Sequence, residues 1–250
     1  MNYLNLGCGS KFVEGWVNID NRSISPHVQI HDLRQGIPCP DNHFSFVYHS
    51  HLLEHFSKNE ALAMLRECYR VLCPGGLIRV VVPDLEQIVK IYLESLEKAL
   101  LGDIISKQNY AWIMLELYDQ AIRNKSGGSM LEYLKQDPVP NEEFIIERIG
   151  MEAKTIIKSI RNNQSQRERK SVRIRYSVSN YIKSLRDTII KILLGSKDYK
   201  ALAIGRFRME GEIHQWMYDR YSLSSSLHKT GFTNNVFLSK NWMYVPAYNT

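Results

Sequence analysis

The first twenty residues restrict this chain more than any other stretch. A short apolar run, Tyr3-Leu4-Asn5-Leu6, leads into Gly7-Cys8-Gly9, and a second run, Trp16-Val17-Asn18-Ile19, ends on Asp20. A strand that empties into a glycine turn exposes backbone N–H groups where no side chain obstructs approach, which suits a charged ligand. A carboxylate at the tip of the next strand can accept two hydrogen bonds from a ribose diol. Together these features describe a nucleoside-shaped site at the carboxyl ends of parallel strands. Only about ten residues join the two runs, fewer than a parallel crossover normally holds, so the first crossover helix is expected to be a stub or absent.

A dinucleotide fingerprint would read Gly-x-Gly-x-x-Gly with an acid about 20 residues on. Here Phe12 occupies the third glycine position and Asp20 follows Gly9 by 11 residues. That spacing disfavours NAD and suits S-adenosylmethionine (SAM), whose single ribose lies across the strand ends and whose methionine portion lies on the glycine turn. At these residues the chain resembles the class I SAM-dependent methyltransferases, and within them the type 11-like branch. The resemblance rests on Leu-Asn-Leu-Gly-Cys-Gly with Gly-Trp-Val-Asn-Ile-Asp (4–20), Ser-His-Leu-Leu-Glu-His-Phe (50–56) and Arg-Val-Leu-Cys-Pro-Gly-Gly (70–76). A weaker echo is Ile-His-Gln-Trp-Met-Tyr-Asp with Gly-Phe (213–232). It covers the first third and the last fifth of the chain.

The resemblance implies an α/β, Rossmann-like seven-stranded sheet with SAM as cofactor and S-adenosylhomocysteine as product. It implies cofactor contacts from Asn5, Gly7, Cys8 and Gly9, from Asp20 and Asn21, from Asp32 and Leu33, and from Ser50 and His51. In SAM enzymes a carboxylate at the place of Asp32 takes the adenine amino group while the next backbone N–H faces a ring nitrogen. Read alone, Asp32 is equally a turn former before Gly36-Ile37-Pro38; Asp20 at its usual spacing favours the adenine role. The family usually has an acid where Asn5 stands. Lys11 is a candidate for the SAM carboxylate, with a solvated turn lysine as the plainer reading.

Further strands are expected at 27–31 and 44–49, the latter rich in apolar and aromatic residues and bounded by Pro40-Asp41-Asn42. Ser57 and Glu60 form a capping box for a helix with Leu62, Leu65, Cys68, Tyr69 and Leu72 at helical spacing, stopped by Pro74-Gly75-Gly76. Residues 77–82 read as a strand buried on both faces, and Asp84 with Gln87 can cap the next helix. Residues 85–205 then leave the strand rhythm and read as a helical insertion after strand five. One helix is expected through Ile88, Tyr92, Leu96 and Leu100, a second through Trp112 to Ile122 halted by Gly127-Gly128, and a third over 181–194. The polar run 162–170 reads as a loop. Ser222 is expected to cap a short helix closed by Gly231, before strand six at 232–238 and an edge strand seven at 242–245. The expected domains are a SAM-binding core, 1–84 with 206–250, and the 85–205 cap.

Methyl transfer from a sulfonium is an in-line displacement with a good leaving group, so it needs alignment, and a base only if the acceptor begins protonated. His49, His51 and His55 crowd the end of strand four, and alternation puts His49 and His51 on one face. His51 is the catalytic base candidate, since imidazole titrates in the useful range; the competing reading is that it only packs against the cofactor. His55 and Glu54 read as structural. Acceptor candidates are Tyr118 and Asp119, with Arg123 one turn later, and His214, Trp216 and Tyr218. Singly each is a core-facing residue with a satisfied polar tip; as a group they suit a polar ligand such as a sugar.

The net charge of +6 is unevenly spread. Residues 154–200 hold thirteen Lys/Arg against Glu168, Asp187 and Asp198, a net of +10, which leaves −4 for the rest. The segment reads as a solvated face, as nucleic-acid binding, or as a basic amphipathic helix for an anionic membrane surface, with Ile182, Leu185, Ile189, Ile192 and Leu193 opposite Lys183, Arg186 and Lys191. The absence of an established RNA-binding module argues against nucleic acid. Four cysteines without a Cys-x-x-Cys pair point to free thiols in a reducing cytoplasm, with zinc and other metals not expected. The opening residues run straight into the first strand, so no signal peptide is expected, and no apolar run approaches a membrane span. The expected location is cytoplasmic, with a peripheral contact at the inner membrane face through 181–194. The expected function is methylation of a small-molecule or glycan acceptor, a sugar hydroxyl in polysaccharide biosynthesis by analogy. The rivals are an RNA methyltransferase using 154–200 and a non-catalytic SAM-binding partner subunit.

Overall fold

The central strands form where apolar residues run without alternation. In the computed structural model, residues 2–22, 25–167, 178–240 and 242–249 are described, with backbone alone over 163–167, 178–184 and 238–249. Strands β1 (Tyr3–Leu6), β2 (Val17–Asp20), β3 (Gln29–Ile30), β4 (Phe44–Ser50) and β5 (Leu72–Pro83) pair in parallel in the order β3-β2-β1-β4-β5. Leu4, Leu6, Ile19, Val47, Ile78 and Val80 on these strands are buried, as strands covered on both faces require. Beyond β5 the pairing turns antiparallel. Strand β8 (Trp242–Asn249) runs against β5 on one side and against β6 (Phe232–Thr233) on the other, and β7 (Leu238–Lys240) also pairs with β8. The sheet therefore has eight strands, five of them in the parallel run, where a seven-stranded sheet was expected, and the last strand lies inside the sheet rather than at its edge.

Two helices show how local chemistry sets the boundaries. In α1 (Lys58–Val71) the Ser57 side chain accepts from the Glu60 N–H while Glu60 accepts from the Ser57 N–H, so the expected capping box forms. One face of α1 buries Ala61, Met64, Leu65, Cys68 and Val71, and each full burial of a side chain like Leu65 is worth roughly 1.5–3 kcal/mol. The helix stops at Val71, but the chain does not wait for the Pro-Gly-Gly turn to become a strand. Leu72 already pairs with Phe44, and a register shift absorbs the turn before Leu77 pairs with Phe46. Farther on, α8 (Arg220–Lys229) is capped by Asp219, whose carboxylate accepts from Ser222 N at 2.7 Å. Ser222 is thus the reciprocal partner in the capping box, not the cap itself.

The β1–β2 connection contains no helix, and side-chain amides take over its work. Asn18 Oδ1 accepts from Val13 N at 2.9 Å and from Asn5 Nδ2 at 3.0 Å, while Asn18 Nδ2 donates to Val13 O and Trp16 O. Phe12 stacks on His27, and Trp16 packs against Tyr3 and Phe46. Buried amides are kept where every hydrogen finds a partner.

The chain divides into two compact units, Met1–Leu93 with His214–Thr250, and Glu94–Ile213. Helix α2 (Leu85–Leu100) carries the chain from the first into the second. The second unit is helical: α3 (Ile104–Ile122), α4 (Gly128–Leu134), α5 (Glu142–Ile149), α6 (Met151–Arg167) and α7 (Val178–Met209), with a non-helical break at Gly195. Its own core gathers Trp112, Leu134, Val139, Ile145, Ala153 and Ile157. Sequence periodicity pointed to three helices here. Residues 162–167, read as part of a loop, continue α6, while 168–170 of that loop lie outside the described residues. The 181–194 helix is most of the first half of a longer element, up to the break at Gly195. Among the described residues, no helix is long and apolar enough to cross a membrane.

Candidate active site

At the carboxyl end of β1 the chain turns through Gly7 (φ 62°) and Gly9 (φ 54°). Gly7 N donates to Ile19 O at 2.8 Å, which ties the turn to β2. A Cβ on Gly7 would lie 2.7 Å from Leu52 Cδ1, the end of a side chain that can shift, so it is the left-handed angle that favours glycine there. Around Gly9 the space is open, with nothing within 4 Å of a Cβ position. Asp20, at the tip of β2, faces this turn. Its Oδ2 accepts from Gly9 N at 2.8 Å and its Oδ1 from Arg22 N at 3.0 Å. A carboxylate offers about four lone-pair sites, so two remain for a diol. The neighbouring Asn21 is exposed. Burial, and next the Asp20 charge, push the Cys8 thiol up, so Cys8 is no thiolate nucleophile.

Other expected contacts divide between rim and scaffold. Asp32 N-caps the 3-10 turn Leu33–Gln35, accepting from Arg34 N at 3.1 Å, and its side chain remains 43% exposed. Leu33 is buried beneath it. Lys11 is exposed on the turn, its N–H donating to Cys8 O. Asn5, by contrast, is buried and gives its amide hydrogens to Asn18 and to Lys11 O. It braces the turn through those hydrogens, which are engaged within the protein.

Ser50 ends β4, and His51 follows it at φ 52°, a left-handed conformation uncommon for a non-glycine residue. This break ends strand alternation, so the reading that placed His49 and His51 on one face is corrected. His49 is fully buried, and neither ring nitrogen makes a hydrogen bond. Burial drives its pKa down to about 4 despite the Glu54 charge. His51 is part exposed, and its Nδ1 lies 3.1 Å from Glu54 Oε1. Glu54 is completely buried in the 3-10 turn Leu53–His55. Burial raises its carboxyl pKa, but the His51 hydrogen bond and the fields of His51, His214 and His55 outweigh that and hold it below the ordinary range. A carboxylate fixing one imidazole nitrogen defines the tautomer and leaves Nε2 as the proton acceptor.

The acceptor candidates fall in different units. In the sheet unit, His214 and Tyr218 are buried, and Trp216 is 36% exposed with Lys58 Nζ 3.6 Å from its ring centroid. His214 and Tyr218 are core-facing, as the plainer reading has it, and Tyr218 joins the sheet unit's hydrophobic core. Their segment is pinned in place: Tyr218 bridges Asp84, and Gln215 N and Trp216 N donate to Glu54 O. In the helical unit, Tyr118 is exposed, but Asp119 is buried and accepts from Ser129 N at 2.6 Å and Met130 N at 3.3 Å, anchoring the start of α4. Arg123 donates to Glu212 O and Gln120 and pairs with the Glu212 carboxylate. Asp119 and the Arg123 Nη2 are thus engaged within the helical unit, while the buried Arg123 Nε makes no hydrogen bond.

Residues 10–80 match the family model described as a methyltransferase domain. Among solved structures, one similar chain belongs to the complex of the Haloferax volcanii Trm112 methyltransferase activator with a methyltransferase (18% identity, 35% of this chain and 47% of that one, TM-score 0.29). Another is the YcgJ protein of Bacillus subtilis (17%, 39% and 51%, TM-score 0.29). A third is a SAM-dependent methyltransferase of Thermotoga maritima described as a possible histamine N-methyltransferase (10%, 100% and 82%, TM-score 0.43). The chain spans about half the length of the first two. No curated protein matches.

Proposed function

We propose that this chain, which carries a methyltransferase domain over residues 10–80 on a Rossmann-like parallel sheet, transfers a methyl group from SAM to a hydroxyl of a small-molecule or glycan acceptor. The observation that carries the reading is the meeting of three features at the strand ends: the open Gly7–Gly9 turn, the Asp20 carboxylate against it, and His51 oriented by a buried Glu54. When bound, SAM supplies an electrophilic methyl on a sulfonium. Asp20 would accept from the ribose hydroxyls, and Asp32 with the Leu33 N–H would take the adenine edge. The Cys8–Gly9 turn, Lys11, Asn21 and Ser50 would hold the remainder. Room at Gly9 and the unused lone pairs of Asp20 fit such a ligand.

His51 then removes the acceptor proton through Nε2 while Nδ1–H stays on Glu54, which stabilises the imidazolium that forms. Tyr218, Trp216 and His214 lie on the strand-return segment beside this histidine's partner and support a polar acceptor such as a sugar. A peripheral contact with anionic membranes is part of the same proposal. On α7 the apolar Leu185, Ile189, Ile192 and Leu193 are 49–77% exposed and share the helix with Arg186 and Lys191.

Calorimetric titration of SAM and S-adenosylhomocysteine tests the cofactor assignment. Asp20→Asn keeps one of the two acceptor oxygens, so either Gly9 N or Arg22 N loses its partner; with a melting temperature showing that the variant is folded, it should weaken SAM at least tenfold, and unchanged affinity removes the ribose assignment. His51→Gln should lower turnover by about a hundredfold or more with SAM affinity held within a few-fold. SAM binding without turnover in acceptor screens would instead support a partner subunit.

A further inference from the structure

We propose that Glu54, His55 and His214 form a binding site for one divalent transition-metal ion of the zinc class. A carboxylate oxygen of Glu54 and one ring nitrogen from each histidine lie no more than 4.8 Å from one another. The two imidazole rings meet edge to face with centroids 4.9 Å apart. Tetrahedral coordination at the ordinary zinc distances needs donors about 3.4 Å apart, so small side-chain rotations close the set. Two imidazoles and one carboxylate suit zinc, iron(II), cobalt or nickel and disfavour calcium and magnesium, which take oxygen. Three protein donors leave a further position open, for water or a ligand atom.

The independent sign of a ligand is Glu54 itself. Its side chain is fully buried, Oε1 is taken by His51, and Oε2 makes no hydrogen bond within the protein. A buried anion with one oxygen unsatisfied is costly, and a cation held by Oε2 supplies what is missing. The backbone around the site is already set for this. Gln215 N donates to Glu54 O at 2.7 Å and Gln215 Nε2 to His55 O at 2.9 Å, so the two segments that bring the donors are joined before any ion arrives. Such preorganisation lowers the ordering cost of coordination. One carboxylate then serves both His51 and the ion. Cysteine spacing pointed away from zinc because the donors are not cysteines, and because His214 lies 160 residues from Glu54 in sequence.

The test uses the full chain, stripped with chelator and titrated with Zn²⁺ by calorimetry and with Co²⁺ by visible absorption. Saturable binding of one ion per chain is expected, with cobalt d–d bands of a four- or five-coordinate site, and with a rise in melting temperature on adding Zn²⁺. His55→Asn and His214→Asn should each weaken Zn²⁺ at least tenfold. Proton NMR of the Co²⁺-loaded wild-type chain should show shifted, exchangeable imidazole N–H signals, a readout that needs no variant to fold. Absence of stoichiometric binding by the wild-type chain overturns the proposal. So does undiminished binding in the folded His55→Asn/His214→Asn double variant, or a cobalt spectrum without imidazole signals.

Discussion

Glu116 of the helical unit and Glu54 of the sheet unit are both carboxylates withdrawn from water, and their surroundings treat them in opposite ways. Glu116 accepts from Arg148 Nη2 at 2.6 Å, from Arg148 Nε at 3.2 Å and from the indole of Trp112 at 2.7 Å, so both of its oxygens are engaged. Glu54 has one oxygen on a histidine and the other on nothing, with a buried neutral His49 nearby in the chain. The first arrangement spends a charge on holding helices together. The second leaves polar capacity unspent at the ends of the parallel strands, where α/β folds bind their ligands. The difference separates scaffold from site within one chain, without appeal to any relative.

The strongest challenge to this contrast is Arg148→Ala. Removing one partner strands Glu116, and the cost should be about 3–5 kcal/mol in denaturant unfolding, with faster amide exchange concentrated in 104–160. A loss under 1 kcal/mol would mean that Glu116 is not locked. Next in size is the acid response of His49. The folded state binds its proton only near pH 4 and the unfolded state near 6.5, so between these values the unfolded chain holds more protons and stability falls as pH falls. The full window is worth up to roughly 3 kcal/mol. His49→Leu should remove that part of the slope and be no less stable at pH 7; a wild-type slope in the variant would show that His49 is not the cause. Gly7→Ala should cost about 1–2 kcal/mol from its left-handed backbone alone, more if Leu52 cannot yield. Smallest is Ser57→Ala, about 1 kcal/mol for the lost cap, read as a shift in the denaturation midpoint.

What the sequence disclosed follows from how local each cause is. The Gly7–Gly9 turn, the Ser57–Glu60 box and the Asp84 cap are formed by residues within a few positions of one another, and all are legible before folding. Helices α4, α5 and α6 were not legible. Gly127, Pro138, Pro140 and Gly150 cut α4 and α5 into pieces too short to show a period, the 17-residue α6 loses its apolar positions in the polar run from Asn162, and packing around Trp112 and Ile145 supports the helices. Tyr118 and Asp119 do share α3, and Arg123 is its C-cap. Their partners, at 129–130 and 212, are what no spacing could name. The His49–His51 alternation failed for a single backbone angle at residue 51. His214 reaches Glu54 only through the return of the chain to the sheet unit.

That return has a consequence for how such a protein can change over time. Within the sheet unit, the outgoing chain at Asp84–Leu85 and the returning chain at Tyr218 are stitched together by a parallel bridge and by Leu85 N donating to Tyr218 O at 3.0 Å. The helical unit, Glu94–Ile213, is inserted in sequence between those two points. Lineages can therefore lengthen, shorten or exchange the inserted part while the strands keep their order.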